Sequence, residues 1–136
     1  MRVVDRRPHR MARRRFLAGL ASLPVAWVAW PASADTDVGV ASALRRLFND
    51  SIDHPVAIGR LYLAKEPAEA SRQWLAGHVC GASWMSSDVP VHALADRVRA
   101  LRHDDFCRGD LVEIDGWLLA RSEARLFALA ALVLPA

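Results

Sequence analysis

Hydrophobic positions along the chain fall into two regimes. Between Arg13-Arg14-Arg15 and Ala32-Ser33-Ala34, the stretch Phe16 to Trp30 is uncharged and only moderately apolar, interrupted by Gly19 and Pro24. Further along the spacing becomes periodic. Val40, Ala43, Leu44, Leu47 and Phe48 recur at i, i+3, i+4, i+7 and i+8, the spacing of one buried helical face, and Asn49-Asp50-Ser51 ends it. Pro55 suits the first turn of a second helix, with Ile58, Leu61 and Tyr62 on its inner face and Glu66-Pro67 as its stop. Pro67 then opens a third helix to about Val79, whose large apolar residues are Trp74 and Leu75 and which closes at Cys80-Gly81.

Gly81 to Asp88 has the glycine and serine content of a loop, yet it holds Trp84 and Met85, which either plug the core or meet a partner. From Pro90 a fourth helix repeats Val91, Leu94, Val98 and Leu101, with Arg97, Arg99 and Arg102 off that stripe and Arg108-Gly109 as its end. The period then changes. Leu111 to Ala120 makes two short extended runs around Asp115-Gly116, a strong hairpin signal because a type I′ turn needs positive φ at both central residues. Ser122 is the expected N-cap of a last helix carrying Leu126, Phe127, Leu129 and Leu132, with Glu123 near its positive end. The pattern predicts a mainly α fold of four to five helices with one short β-hairpin near the C-terminus.

The first 34 residues have the layout of an export signal: a basic n-region, an apolar h-region, and a small-residue cleavage box at Ala32 and Ala34. Arg13 and Arg14, followed by Phe16-Leu17, resemble the twin-arginine (Tat) signal pattern, with Ala12 and Ala18 departing from it. That resemblance implies recognition by the Tat translocase and delivery to the periplasm, or tethering at the inner membrane if the signal is not cut. Tat passengers are folded before export, and usually hold a cofactor or travel with a partner that does. Residues 35–136 form the expected mature domain, 102 of the 136 residues, enough for one modest core.

Charge follows the same division. The chain has 18 basic and 15 acidic residues, but seven arginines and one aspartate lie in residues 1–34, leaving 11 and 14 in the mature part. The basic balance belongs to the signal, and no basic patch for nucleic acid remains. Membrane contact is expected only through the signal segment.

Two cysteines remain, Cys80 and Cys107. A disulfide between them in an oxidising compartment would be worth about 3–4 kcal/mol in the chain-entropy account, against the alternative of two separate thiols. His78-x-Cys80 and His103-x3-Cys107 are weak metal candidates, because the first spacing splays its side chains on a helix; His78 fits better beside Trp74, one turn back, partly buried and hydrogen-bonded. The Cys-x-x-Cys-His of haem c is missing, and four cysteines for an iron–sulfur cluster are not present. Gly81-Ala82-Ser83-Trp84-Met85 lacks the second glycine of a nucleophile elbow, and Asp104-Asp105 beside His103 could mimic an acid–base cluster but is expected to be a solvated pair facing different directions. No catalytic or cofactor-binding residue is assigned.

The closing element is the most distinctive part of the mature chain. Asp115, Gly116, Trp117, Leu119, Glu123, Ala124, Arg125 and Leu126 resemble the ending of short bacterial Tat-signal proteins that finish in a DGWxLxxxEARL-like pattern, with Ala120 and Ser122 where Ser and Thr stand there. The resemblance implies a small helical domain and brings no known activity with it. Turn and cap chemistry accounts for these residues if Trp117 packs the hairpin onto the helices and Arg125 pairs with Glu113 or Asp115. Alternatively Trp117 and Arg125, with Trp84, form a docking face, since these residue types anchor interfaces. The expected function is a non-enzymatic accessory subunit or Tat escort for a larger, cofactor-bearing periplasmic oxidoreductase. The alternatives are a free-standing metal or small-ligand binding module and a small enzyme.

Overall fold

The computed structural model describes residues 34–134, and the last helix forms its centre. In chain order the elements are α1 (Ala34–Leu47), α2 (Asp53–Lys65), α3 (Arg72–Cys80), α4 (Val91–Arg108), β1 (Leu111–Ile114), β2 (Trp117–Ala120) and α5 (Arg121–Val133). Five helices and one antiparallel hairpin match the architecture the pattern predicts. The export-signal residues Arg13, Arg14, Phe16, Leu17 and Ala32 lie outside the described residues. Ala34, the expected last residue of the signal, is the first residue of α1.

α5 is apolar on several sides and is packed by helices on each of them. Ala124, Ala128, Leu129 and Ala130 are fully buried and Leu126 nearly so. Around it stand Leu44 of α1, Tyr62 of α2 and Leu75 of α3, each also fully buried. Withdrawing a leucine of this kind from water contributes about 1.5–3 kcal/mol. The tilted contact of Phe48 with Phe127, centroids 6.0 Å apart, ties the end of α1 to α5.

Small residues set the closest approach. A Cβ placed on Gly59 of α2 would stand 2.0 Å from the carbonyl oxygen of Phe127, so the two backbones cross where only glycine fits. This explains a departure from the predicted α2 face. Val56, Gly59 and Tyr62 point inward, whereas Leu61 is 48% exposed, because the crossing turns the helix toward its glycine.

Local signals hold at several element ends and fail at others. The Asp115-Gly116 turn has φ of 50° and 79°, and Leu111, Val112, Glu113 and Ile114 pair with Ala120, Leu119, Leu118 and Trp117. The third helix starts at Arg72 rather than Pro67: Pro67–Glu69 is a separate 3-10 turn, and the Ser71 hydroxyl caps α3 by accepting the Trp74 N–H at 3.3 Å. Gly81–Met85 is a 3-10 turn rather than an irregular loop. Arg97 explains its place off the α4 stripe, since it donates to the carbonyls of Val79 and His78 at 3.0 and 3.1 Å and satisfies the end of α3.

The start of α5 overturns another expectation. Ser122 is not its N-cap; Ala120 holds that position, and Ser122 is the second helical residue. The capping group comes from α4, where Asp105, buried rather than solvated as expected, accepts the Ser122 N–H at 2.7 Å. No helix among the described residues is long and apolar enough to cross a membrane.

Candidate functional site

Arg125 is the centre of a polar cluster that joins three helices. Its Nε and Nη2 donate to the two carboxylate oxygens of Glu69 at 2.9 and 2.6 Å, a paired geometry that only a guanidinium supplies. The expected partners Glu113 and Asp115 are not used. Tyr62 donates its hydroxyl to the same carboxylate at 2.5 Å. The guanidinium also lies 4.9 Å from the centroid of Trp74, whose indole stacks on His78 at 3.8 Å. His78 Nδ1 is 3.2 Å from the Trp74 carbonyl, so it sits beside Trp74 as its spacing implied, but it is exposed rather than partly buried.

The electrostatics of this column argue for a clamp. Hydrogen bonds from Arg125 outweigh burial and hold the Glu69 carboxyl below its usual range. Burial, helped by the hydrogen bond to Glu69, pushes the Tyr62 hydroxyl up to about 12. Neither group exchanges a proton near neutral pH, so the pair is unsuited to general acid–base work. The column instead ties α2, the turn after it, α3 and α5 together. Arg121, bonded to Asp110 at 2.8 Å and 3.5 Å from Glu66, adds a second tie between the start of α5 and its neighbours.

The four metal candidates do not converge. No group of three or more potential metal ligands exists among the described residues. Cys80 is buried in the core, and burial pushes its thiol up to about 11, which keeps it protonated and inert. Cys107 is exposed on α4, and the two are free thiols rather than a disulfide. On α4 itself, Cys107 Sγ and His103 Nε2 are 3.6 Å apart.

The three docking candidates also separate. Arg125 is committed to Glu69 and Trp74, with only 20% of its side chain exposed. Trp84 packs against the core and forms one wall of a cavity of about 450 Å³ between α1, α3 and α5, while its neighbour Met85 is exposed. Trp117 does not pack the hairpin onto the helices. It is 70% exposed, and the adjacent Leu118 is 60% exposed, while Val112 and Ile114 of the facing strand are buried. Leu118 was missed by sequence reasoning, although successive strand residues point to opposite faces, so the run Trp117-Leu118 had to leave one apolar side chain outside. Glu69 had no sequence signal, since its partner lies 56 residues away.

No family model, curated protein or solved structure matches this chain.

Proposed function

We propose that this chain is a non-enzymatic accessory subunit or escort, exported with a larger cofactor-bearing periplasmic oxidoreductase that it binds through the hairpin tip. The observation that carries the reading is the exposure of two large apolar side chains, Trp117 and Leu118, at the tip of a hairpin whose Val112 and Ile114 are buried. An aromatic side chain of this exposure leaves on the order of 150 Å² for a partner to cover, worth about 4 kcal/mol before ordering costs. The twin-arginine resemblance supports the second half of the proposal, because folded export then serves a companion carrying the cofactor.

The test is a gentle pull-down of C-terminally tagged full chain from the native periplasm, beside the double variant Trp117→Ser/Leu118→Ser. The proposal expects a stoichiometric larger protein with a flavin, haem or molybdenum absorption signature, captured by the parent and lost with the variant. A lone, colourless chain from the parent overturns it. One observation favours a second reading: the cavity lined by Val40, Ala76, Trp84, Leu129 and Leu132 has the volume of a small-molecule site. A binding module of that kind would co-purify with an apolar ligand and without a partner.

A further inference from the structure

The two histidine–cysteine pairs have different fates, and the pair on α4 has a geometry of its own. His103 and Cys107 are one helical turn apart, both exposed, with Sγ and Nε2 separated by 3.6 Å. In a tetrahedral zinc site with Zn–S of about 2.3 Å and Zn–N of about 2.0–2.1 Å, the sulfur–nitrogen edge is about 3.6 Å. With the same bond lengths a square-planar edge would be about 3.1 Å, and a linear arrangement about 4.3 Å. The pair is a thiol–imidazole hydrogen bond in the free chain, and its separation equals the donor–donor edge of a tetrahedral ion, so a metal can replace the shared proton without moving the two side chains apart.

The surroundings are compatible with a cation. Arg99 is held by Asp96 at 2.7 Å, and Arg102 faces Glu123 at 3.6 Å, so each neighbouring guanidinium has a carboxylate of its own. Glu123 and His103 line the same shallow depression, together with Arg99, Arg102 and the half-exposed Phe106.

We propose that His103 and Cys107 form a two-donor site for a tetrahedral, thiolate-seeking divalent cation of the zinc type, with water completing the shell in the isolated chain. On binding, the Cys107 S–H bond breaks, its proton passes to solvent, and a sulfur–metal bond forms without any change of oxidation state. The remaining two positions are open to a donor from outside the chain. The site stands independently of the hairpin docking reading.

The experiment is titration of the full chain with cobalt(II) and then zinc(II), under a phosphine reductant that keeps both thiols free. The proposal expects a near-ultraviolet sulfur-to-cobalt charge-transfer band together with the visible bands of tetrahedral cobalt, saturating at one ion per chain and bleached by zinc. Cys107→Ser abolishes the charge-transfer band, and His103→Gln weakens binding by about tenfold or more. Both residues are exposed, so their variants retain the parent melting temperature. Cys80→Ala and His78→Gln leave binding unchanged. One ion shared by two chains also supports the site, with a second copy supplying the outer donors. A missing sulfur–cobalt band, or a band that survives Cys107→Ser, overturns the proposal.

Discussion

Replacing Gly59 by alanine tests the central helix crossing, because two effects of known sign oppose each other there. In an exposed helix, Gly→Ala stabilises by about 0.8–1.0 kcal/mol. At Gly59 the new Cβ would lie 2.0 Å from the Phe127 oxygen, 2.4 Å from its carbonyl carbon and 2.9 Å from the Ala128 nitrogen. All three atoms are backbone, so no side chain can swing away. Restoring a separation of about 3.4 Å requires α2 and α5 to part by more than about 1 Å, which forfeits dispersion across the interface. Overpacking of this kind costs about 1–3 kcal/mol, and a rigid obstacle places the site at the upper end. The expected net loss is about 2 kcal/mol, or about 10 °C in melting temperature for a domain of this size.

Gly77→Ala supplies the opposite sign. Its Cβ would meet only Trp84 Nε1, at 3.8 Å, so the propensity gain survives and the melting temperature should rise by a few degrees. Circular dichroism melts and urea titrations of the two variants beside the parent measure both shifts. A Gly59→Ala protein as stable as the parent would refute the close crossing and, with it, the explanation for exposed Leu61.

Further outcomes follow from the clamp, the caps and the signal. Arg125→Lys should cost about 2 kcal/mol in a urea titration, because a lysine cannot reproduce the paired contact to Glu69 or the stacking on Trp74. Stability should fall on acidification through the region below pH 4. Arg125 holds Glu69 low; Asp105 is held low because its bonds to Ser122 and Arg108 outweigh burial, so the unfolded chain binds more protons there. Asp105→Asn should flatten that acid limb. At the alkaline end the raised Tyr62 works in the other sense: its contribution is complete below about pH 10 and is lost as pH rises through about 12. Changing Arg13 and Arg14 to lysine should strand the protein in the cytoplasm by cell fractionation, and periplasmic protein at the parent level would remove the Tat reading.

What the sequence determined by itself was local. The α1 stripe of Val40, Ala43 and Leu44, the Asp115-Gly116 turn and the stop at Arg108-Gly109 depend on side-chain period and backbone φ within a few residues, and each is present where the pattern placed it. The departures share a different physical origin. Ser122 has the chemistry of an N-cap, yet Asp105, seventeen residues earlier, reaches the same N–H from α4. Arg125 has acidic neighbours on the hairpin, yet Glu69 lies closer once α2 and the turn after it wrap α5. The metal pattern divides because burial removes Cys80 while a single helical turn keeps His103 and Cys107 together. Which of several chemically suitable partners a side chain meets is decided by helix crossing, and the crossing at Gly59 is set by backbone contact that no periodicity encodes.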